Sequence, residues 1–244
     1  MKKMISFCGD HTELFEELNR RAEQYANDAG IEYWWEPGIA SDRVTAVDRL
    51  RRVDCAIVGM ELYDKSIFRR VIPNHPLLIR FGAGYEKVDL KAASACGIPV
   101  ARTTGANASA VAEMAVALIF ACRRELRFNR CHYIESGAWT KKISNETIGG
   151  TIGILGFGNI GRITARHFKN LGCKVIVCDP YLGQPQTPDL SMKVVDLETL
   201  FRQSDAISIH VPHTEETHHL VNAERLAMMK ESAVLVNTSR GGIV

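Results

Sequence analysis

Three clusters of residues have types and spacings suited to chemistry. The first is Thr151-Ile-Gly-Ile-Leu-Gly-Phe-Gly-Asn-Ile-Gly-Arg162, an apolar run that opens into a glycine-rich turn. If a strand enters this turn and a helix leaves it, Gly156 permits the sharp bend, Gly158 lets a pyrophosphate reach the backbone, and Gly161 lets the helix pack closely on the strand. The amides that open the helix, with the positive end of its dipole behind them, then face the anion. Asp179 follows at the distance, about 20 residues on, where a carboxylate accepts the adenosine ribose hydroxyls of NAD and repels the extra phosphate of NADP. Glycine turns of this kind also occur in ordinary βαβ units that bind nothing, so context matters. Here Ile160, Ile163, Phe168 and Leu171 fall on roughly one helical face that stops at Gly172, and Lys174–Cys178 reads as the next strand.

The second cluster is Gly82-Ala83-Gly84, directly after a strand-like run ending at Phe81. It is placed to offer backbone amides to an anionic substrate, the plainer alternative being a simple turn. The third comprises His210-Val-Pro-His213 and Asn237-Thr-Ser-Arg-Gly241, each at the end of an apolar run. His210, His213, His218 and His219 invite a metal reading. They lack a supporting carboxylate or cysteine set and a ligand spacing, so no metal is predicted.

The elements that must position these clusters alternate between strand and helix. Strand-like runs occur at Met4–Cys8, Glu32–Trp35, Cys55–Met60, Leu77–Phe81 and Pro99–Arg102, and after the glycine turn at 192–195, 206–211 and 233–238. Such alternation implies an α/β fold with parallel sheets covered on both faces, and ligands bound beyond the carboxyl ends of the strands. Asp10 or Thr12 can cap a first helix on which Leu14, Leu18, Tyr25 and Ala29 share a face as far as Gly30. Between the two alternating regions, Val111, Ala115, Leu118 and Cys122 recur at helical spacing within the stretch 107–126, predicting a long buried helix that connects domains or joins subunits. Residues 181–190 contain prolines and read as a loop. Short helices are expected over 196–202 and 222–230.

At 244 residues the chain is one large domain or two ordinary ones, with a core-forming 46% of hydrophobic residues. Its 30 basic and 28 acidic side chains give a formal net charge of +2, which makes no case for nucleic acid or a membrane surface and points to a small-molecule partner. The seven cysteines form no CxxC pair, and Cys8, Cys55 and Cys178 sit in apolar runs, as buried free thiols in a reducing compartment do. Asp10 and His11 interrupt any signal core, and the apolar stretch Val111–Cys122 contains Glu113 and is too short to span a bilayer. A cytoplasmic protein is expected.

Several segments together resemble the D-isomer-specific 2-hydroxyacid dehydrogenases, the family of phosphoglycerate dehydrogenase, glyoxylate and hydroxypyruvate reductases and D-lactate dehydrogenase. They are Phe81-Gly-Ala-Gly-Tyr-Glu-Lys-Val-Asp-Leu90, Gly97-Ile-Pro-Val100, Thr104-Gly-Ala-Asn-Ala-Ser-Ala-Val-Ala-Glu113, the glycine turn with Asp179-Pro-Tyr181, and Asn237-Thr-Ser-Arg-Gly-Gly-Ile-Val244. They run in family order from about Leu77 onward, while the first 76 residues match only in pattern. The resemblance implies a flavodoxin-like substrate domain over residues 1–103 and a Rossmann dinucleotide-binding domain over 104–244, both doubly wound parallel sheets, with a long helix that supports a homodimer. It implies NAD as cofactor and a small 2-hydroxy or 2-keto acid as substrate. Gly156, Gly158 and Gly161 would form the cofactor-binding turn on which Asn159 and Ile160 meet the pyrophosphate, with Asp179 at the adenosine ribose and Val211, Thr238 and Ser239 on the nicotinamide side. Ala83 and Gly84 would bind the substrate carboxylate, with Asn107 nearby, and Arg240 would be the catalytic arginine. A planar guanidinium suits that task, since it can hold a carboxylate and stabilise charge growing on the neighbouring carbonyl oxygen.

In the family the proton donor is a histidine supported by a glutamate, both downstream of the arginine segment, and none of the eight histidines here matches it. Five strands are expected in the second domain where the usual dinucleotide domain has six. The expectation is that this chain is the retained part of a longer protein and is inactive by itself. The alternative is an NAD-sensing module of the same fold without turnover. Hydroxypyruvate, glyoxylate, 3-phosphoglycerate and D-lactate remain open as substrates, with Arg80 or Arg102 available to a phosphorylated one.

Overall fold

The computed structural model describes residues 1–38, 41–72, 74–137, 143–182 and 192–244. The chain forms two compact units, Met1–Ala106 and Asn107–Val244.

In the first unit five strands, β1 (Lys2–Ser6), β2 (Ile31–Trp35), β3 (Cys55–Val58), β4 (Leu77–Arg80) and β5 (Val100–Arg102), form one parallel sheet in the order β2-β1-β3-β4-β5. This is the flavodoxin-like order, and its direction reverses between β1 and β3. Four helices connect the strands: α1 (Glu13–Asp28), α2 (Arg43–Leu50), α3 (Lys65–Val71) and α4 (Leu90–Ala95). Asp42, Asp64 and Asp89 cap α2, α3 and α4 through their side chains, each satisfying amides that the first helical turn leaves without partners. The core gathers Ile5, Phe7, Leu50, Ala56, Val58, Phe68 and Leu78.

The first helix corrects the sequence expectation. Leu14, Leu18 and Tyr25 do share a face, but it is the exposed one, at 66%, 39% and 70%. Asn19 and Ala26 are the buried positions, with Phe15 and Ala22 half-buried on the same stripe. The apolar band on α1 is wider than the sheet can cover, and packing selects the side that carries Asn19, whose amide donates to Phe15 O at 2.8 Å while its Oδ1 accepts from the Tyr33 hydroxyl. Thr12 occupies the capping position without a side-chain cap bond; Asp10 instead accepts from the Thr12 amide and hydroxyl.

The second unit contains α5 (Ala108–Arg123), α6 (Leu126–Ser136), β6 (Thr151–Leu155), α7 (Asn159–Asn170), β7 (Lys174–Cys178), β8 (Lys193–Val194), α8 (Leu197–Gln203), β9 (Ala206–Ile209), α9 (Ala223–Ala227) and β10 (Val234–Asn237). All five strands are parallel in the order β10-β9-β6-β7-β8. Numbered within the unit this is 3-2-1-4-5, the Rossmann order, with the switch point between β6 and β9. Residues alternate across the sheet into two cores. Ile152, Ile154, Val175, Val177 and Ala206 face one side with Ile119, Ala165 and Phe168, while Leu155, Ile176, Ile207 and Ile209 face the other with Leu200 and Phe201. The loop expected over 181–190 lies, beyond Leu182, outside the described residues.

The connector helix is a second correction. Of Val111, Ala115, Leu118 and Cys122 only Ala115 is fully buried; Leu118 is 38% exposed and Cys122 is also exposed. The buried stripe is Ala108, Ala112, Ala115, Ile119 and Arg123, so one face of α5 packs on the sheet and the other, with Met114 at 56%, is open. A helix made largely of alanine and aliphatics has several stripes of nearly equal hydrophobicity, and the small residues win because they allow the closest approach to α7 and the sheet. Arg123 ends this stripe. It is buried at 6%, and its guanidinium donates to Asp205 O at 2.9 Å and to Glu146 O. A similar shift affects α7, where Gly161, Thr164, Ala165 and Phe168 are buried, while Ile160 and Ile163 are half-buried and Leu171 is exposed.

Candidate functional site

The glycine turn connects β6 to α7, and its three glycines answer to three different demands. Gly156 has φ +93°, and a Cβ there would stand 2.7 Å from Val211 N and 2.8 Å from His210 C. The turn thus bends where the segment leaving β9 presses against it. A Cβ on Gly161 would stand 2.0 Å from Gly156 O, so only glycine lets the helix begin this close to the strand. A Cβ on Gly158 would meet nothing within 4 Å. That glycine serves no internal packing need, and it sits at the N-cap of α7, where no side chain caps the first amides. Open space before uncapped helix amides is a cradle for an anion.

Asp179 lies just past β7 and faces the turn. Its Oδ2 accepts the Phe157 N–H at 2.7 Å and its Oδ1 the Tyr181 N–H at 2.9 Å. Beside it opens a cleft of about 550 Å³, walled by Leu155, Cys178, Val195 and Leu220 and reaching Gly156, Gly158, Asp179 and Val211. Its mouth carries Tyr181, whose hydroxyl stands 3.4 Å from Glu216. The volume suits a small ligand or part of a dinucleotide. The part of the wall formed by Thr214, Glu216, Thr217 and Leu220 has no motif of its own; the sequence announces it only through its position after β9.

At the other end of the switch point, β9 and β10 finish side by side, with Asn237 in register with Ile209. Ser239 ties the two ends together, its hydroxyl donating to Ile209 O at 3.0 Å and its amide to Asn237 Oδ1 at 2.9 Å. The Thr238 hydroxyl is buried and has no partner among the described residues. Arg240 is exposed and its guanidinium donates to Ser239 O at 2.9 Å. His210 stands on the same sheet face as Ser208 and shares a hydrogen bond of 2.9 Å with its hydroxyl. Burial drives the His210 pKa down to about 4, so the ring is neutral at physiological pH. His213 and His218 share a 3.1 Å contact and His219 packs on His218, yet among the described residues no group of three or more His, Cys, Asp or Glu side chains is placed to hold a metal ion.

In the first unit, Gly82, Ala83 and Gly84 follow β4 as expected, at the carboxyl edge of the sheet. Gly82 adopts φ +128°. The Gly82 carbonyl accepts from Thr103 N at 3.3 Å and the Ala83 carbonyl from Arg102 Nη1 at 3.1 Å. The N–H groups of Ala83 and Gly84 have no acceptor among the described residues. Arg80 and Arg102, both candidates for a phosphorylated substrate, have different fates. Arg80 is buried at 7% and donates to Phe81 O and to Met60 Sδ, whereas Arg102 is exposed over the Tyr85 ring at 4.9 Å. Asn107 precedes α5 without a side-chain cap bond.

Residues 116–244 match the family model described as D-isomer specific 2-hydroxyacid dehydrogenase, NAD binding domain. The chain is 42% identical over 173 residues to a hydroxypyruvate reductase of Thermotoga maritima, covering 70% of this chain and 55% of that protein. It is 33% identical over 224 residues to a glyoxylate reductase of Thermococcus litoralis, covering 88% of this chain and 67% of the relative. Among solved structures, one reported as the pyruvate reductase of Chlamydomonas reinhardtii superposes on the whole chain with a TM-score of 0.80 at 28% identity, the match spanning 70% of that protein.

Proposed function

The chain belongs to the D-isomer-specific 2-hydroxyacid dehydrogenases, and from that premise we propose that it forms the substrate-loop and NAD-binding parts of an enzyme interconverting a D-2-hydroxy acid and its 2-keto acid. The observation that carries the proposal is the open space at Gly158 before the uncapped start of α7, with Asp179 hydrogen-bonded to the turn beside it. These residues fit NAD, the cofactor of the domain the chain matches. In this reading residues 1–103 are the substrate domain and 104–244 the NAD domain, supported by the division of the chain into two compact units.

The amides of Asn159 and Ile160 would hold the pyrophosphate, the Asp179 carboxylate the adenosine ribose, and Val211, Thr238 and Ser239 the nicotinamide end. The unpartnered Thr238 hydroxyl supports a ligand contact there. When bound, reduced NAD supplies the hydride that adds to the substrate's carbonyl carbon. The free N–H groups of Ala83 and Gly84 would bind the substrate carboxylate, with Asn107 close to it, and Arg240 would stabilise the negative charge that grows on the carbonyl oxygen before it takes a proton. Glyoxylate and hydroxypyruvate are the proposed substrates, by likeness to the relatives named glyoxylate reductase and hydroxypyruvate reductase.

Exposed apolar side chains on α5 and α6, among them Met114, Leu118, Phe128 and Ile134, support a homodimer. Seven unpaired cysteines support the cytoplasm. The deciding experiment is NADH oxidation by the intact natural protein with glyoxylate, hydroxypyruvate and pyruvate. Turnover is expected, and Arg240→Met should abolish it while NADH still binds. NADH binding with no turnover of any 2-keto acid would overturn the proposal.

A further inference from the structure

The loop after β4 is held more completely than a turn requires. Three consecutive peptide units are fixed, all by neighbouring strand-end residues. In the first, the Phe81 carbonyl accepts from Arg80 and the Gly82 N–H donates to Thr103 Oγ1 at 3.0 Å. In the second, the Gly82 carbonyl accepts from Thr103 N at 3.3 Å. In the third, the Ala83 carbonyl accepts from Arg102 Nη1 at 3.1 Å, with that guanidinium stacked on Tyr85 at 4.9 Å.

A trans peptide is planar, and its C=O and N–H point in opposite directions. Holding the Gly82 carbonyl therefore turns the Ala83 N–H to the opposite side of the loop, and holding the Ala83 carbonyl does the same for the Gly84 N–H. Those are the two amides without acceptors among the described residues. A cation bonded to a carbonyl also polarises the whole peptide unit, which makes its N–H a stronger donor to an anion. The Thr103 backbone N–H thus sets the direction of the first amide and the Arg102 guanidinium that of the second.

We propose that Arg102, assisted by Thr103, is a positioning residue for substrate binding: it fixes and polarises the peptide units whose Ala83 and Gly84 amides receive the substrate carboxylate. This rests on the anion-binding reading of that loop given above, and it assigns to a side chain the orientation of what would otherwise be a flexible glycine turn.

The test uses the intact protein labelled with 15N and oxamate, a 2-keto acid analogue that cannot be reduced. In the unsubstituted protein the Ala83 and Gly84 amide resonances should shift on titration. Arg102→Met should weaken oxamate binding by about tenfold, the scale of a lost charge-assisted bond, and Thr103→Val, which releases the Gly82 N–H but keeps the backbone bond to the Gly82 carbonyl, should weaken it less. NADH affinity should stay unchanged in both, which shows the fold intact. With glyoxylate, KM should rise by a similar factor while kcat changes by less than about twofold. Unchanged oxamate affinity in both variants overturns the proposal and leaves the anion-loop reading standing. Weaker oxamate binding in Arg102→Met with the Gly84 amide shift at saturation unchanged also overturns it, in favour of direct contact between the guanidinium and the ligand. Silence of both amides in the unsubstituted protein removes the anion-loop reading itself.

Discussion

The Asp179 carboxylate accepts the backbone N–H of Phe157 at 2.7 Å, so the acid that follows β7 and the middle of the glycine turn that follows β6 form one hydrogen-bonded unit. The same carboxylate accepts the Tyr181 N–H at 2.9 Å. It thus shapes the cleft as well as charging it. Asp179→Ala is expected to weaken NADH binding by about tenfold through the loss of these charge-assisted bonds. NADPH should lose less, or gain, because the charge that repels its phosphate is gone. Fluorescence titration with both cofactors checks this; an equal loss for the two would show that the carboxylate acts only on the loop's shape.

The three glycines of the turn should separate cleanly into structural and binding positions. Gly161→Ala places a methyl 2.0 Å from Gly156 O, which the backbone can relieve only by pushing α7 off β6, at a cost of about 3 kcal/mol. Gly158→Ala meets nothing within 4 Å and should leave stability within about 0.5 kcal/mol of the unsubstituted protein, yet it fills the cradle and should weaken NADH binding strongly. Urea unfolding and NADH titration of both variants give the comparison. Equal instability in the two would contradict the assignment.

His210 makes stability depend on pH. Burial lowers its pKa from the ordinary 6.5 to about 4, so between those values the unfolded chain binds a proton that the folded chain refuses. Stability from this residue is therefore complete above about pH 6.5 and is lost as pH falls to about 4, by up to about 3 kcal/mol. Denaturant unfolding across that range should show the slope, and His210→Gln should flatten it. An unchanged slope in the variant would place the pH dependence elsewhere.

Much of this site is local in the chain and so can be read from it. Each strand was expected within a few residues of where it lies, because apolar runs bounded by glycine, proline and aspartate signal a buried parallel strand wherever it ends up. The turn from Gly156 to Gly161 and the acid at Asp179 are also local, since their roles follow from conformations that side chains forbid and from a spacing set by one helix. The histidines illustrate the limit. His210 looks like its neighbours His213 and His218 in the sequence, and only burial beside Ser208 sets it apart.

The α/β alternation, the glycine turn, the acid about 20 residues beyond it and the family resemblance are legible in the order of residues, because each depends on positions close together along the chain. Packing in three dimensions settles which stripe of α1 and α5 is buried, that β9 lies beside β6, that Thr214, Glu216, Thr217 and Leu220 wall the cleft, and that Arg102 grips the Ala83 carbonyl. Hydrophobic periodicity says that a helix has an apolar side, but several stripes can satisfy it at similar cost. The choice between them belongs to the shape of the neighbour, and a backbone carbonyl's partner belongs to whichever strand end the sheet brings alongside it.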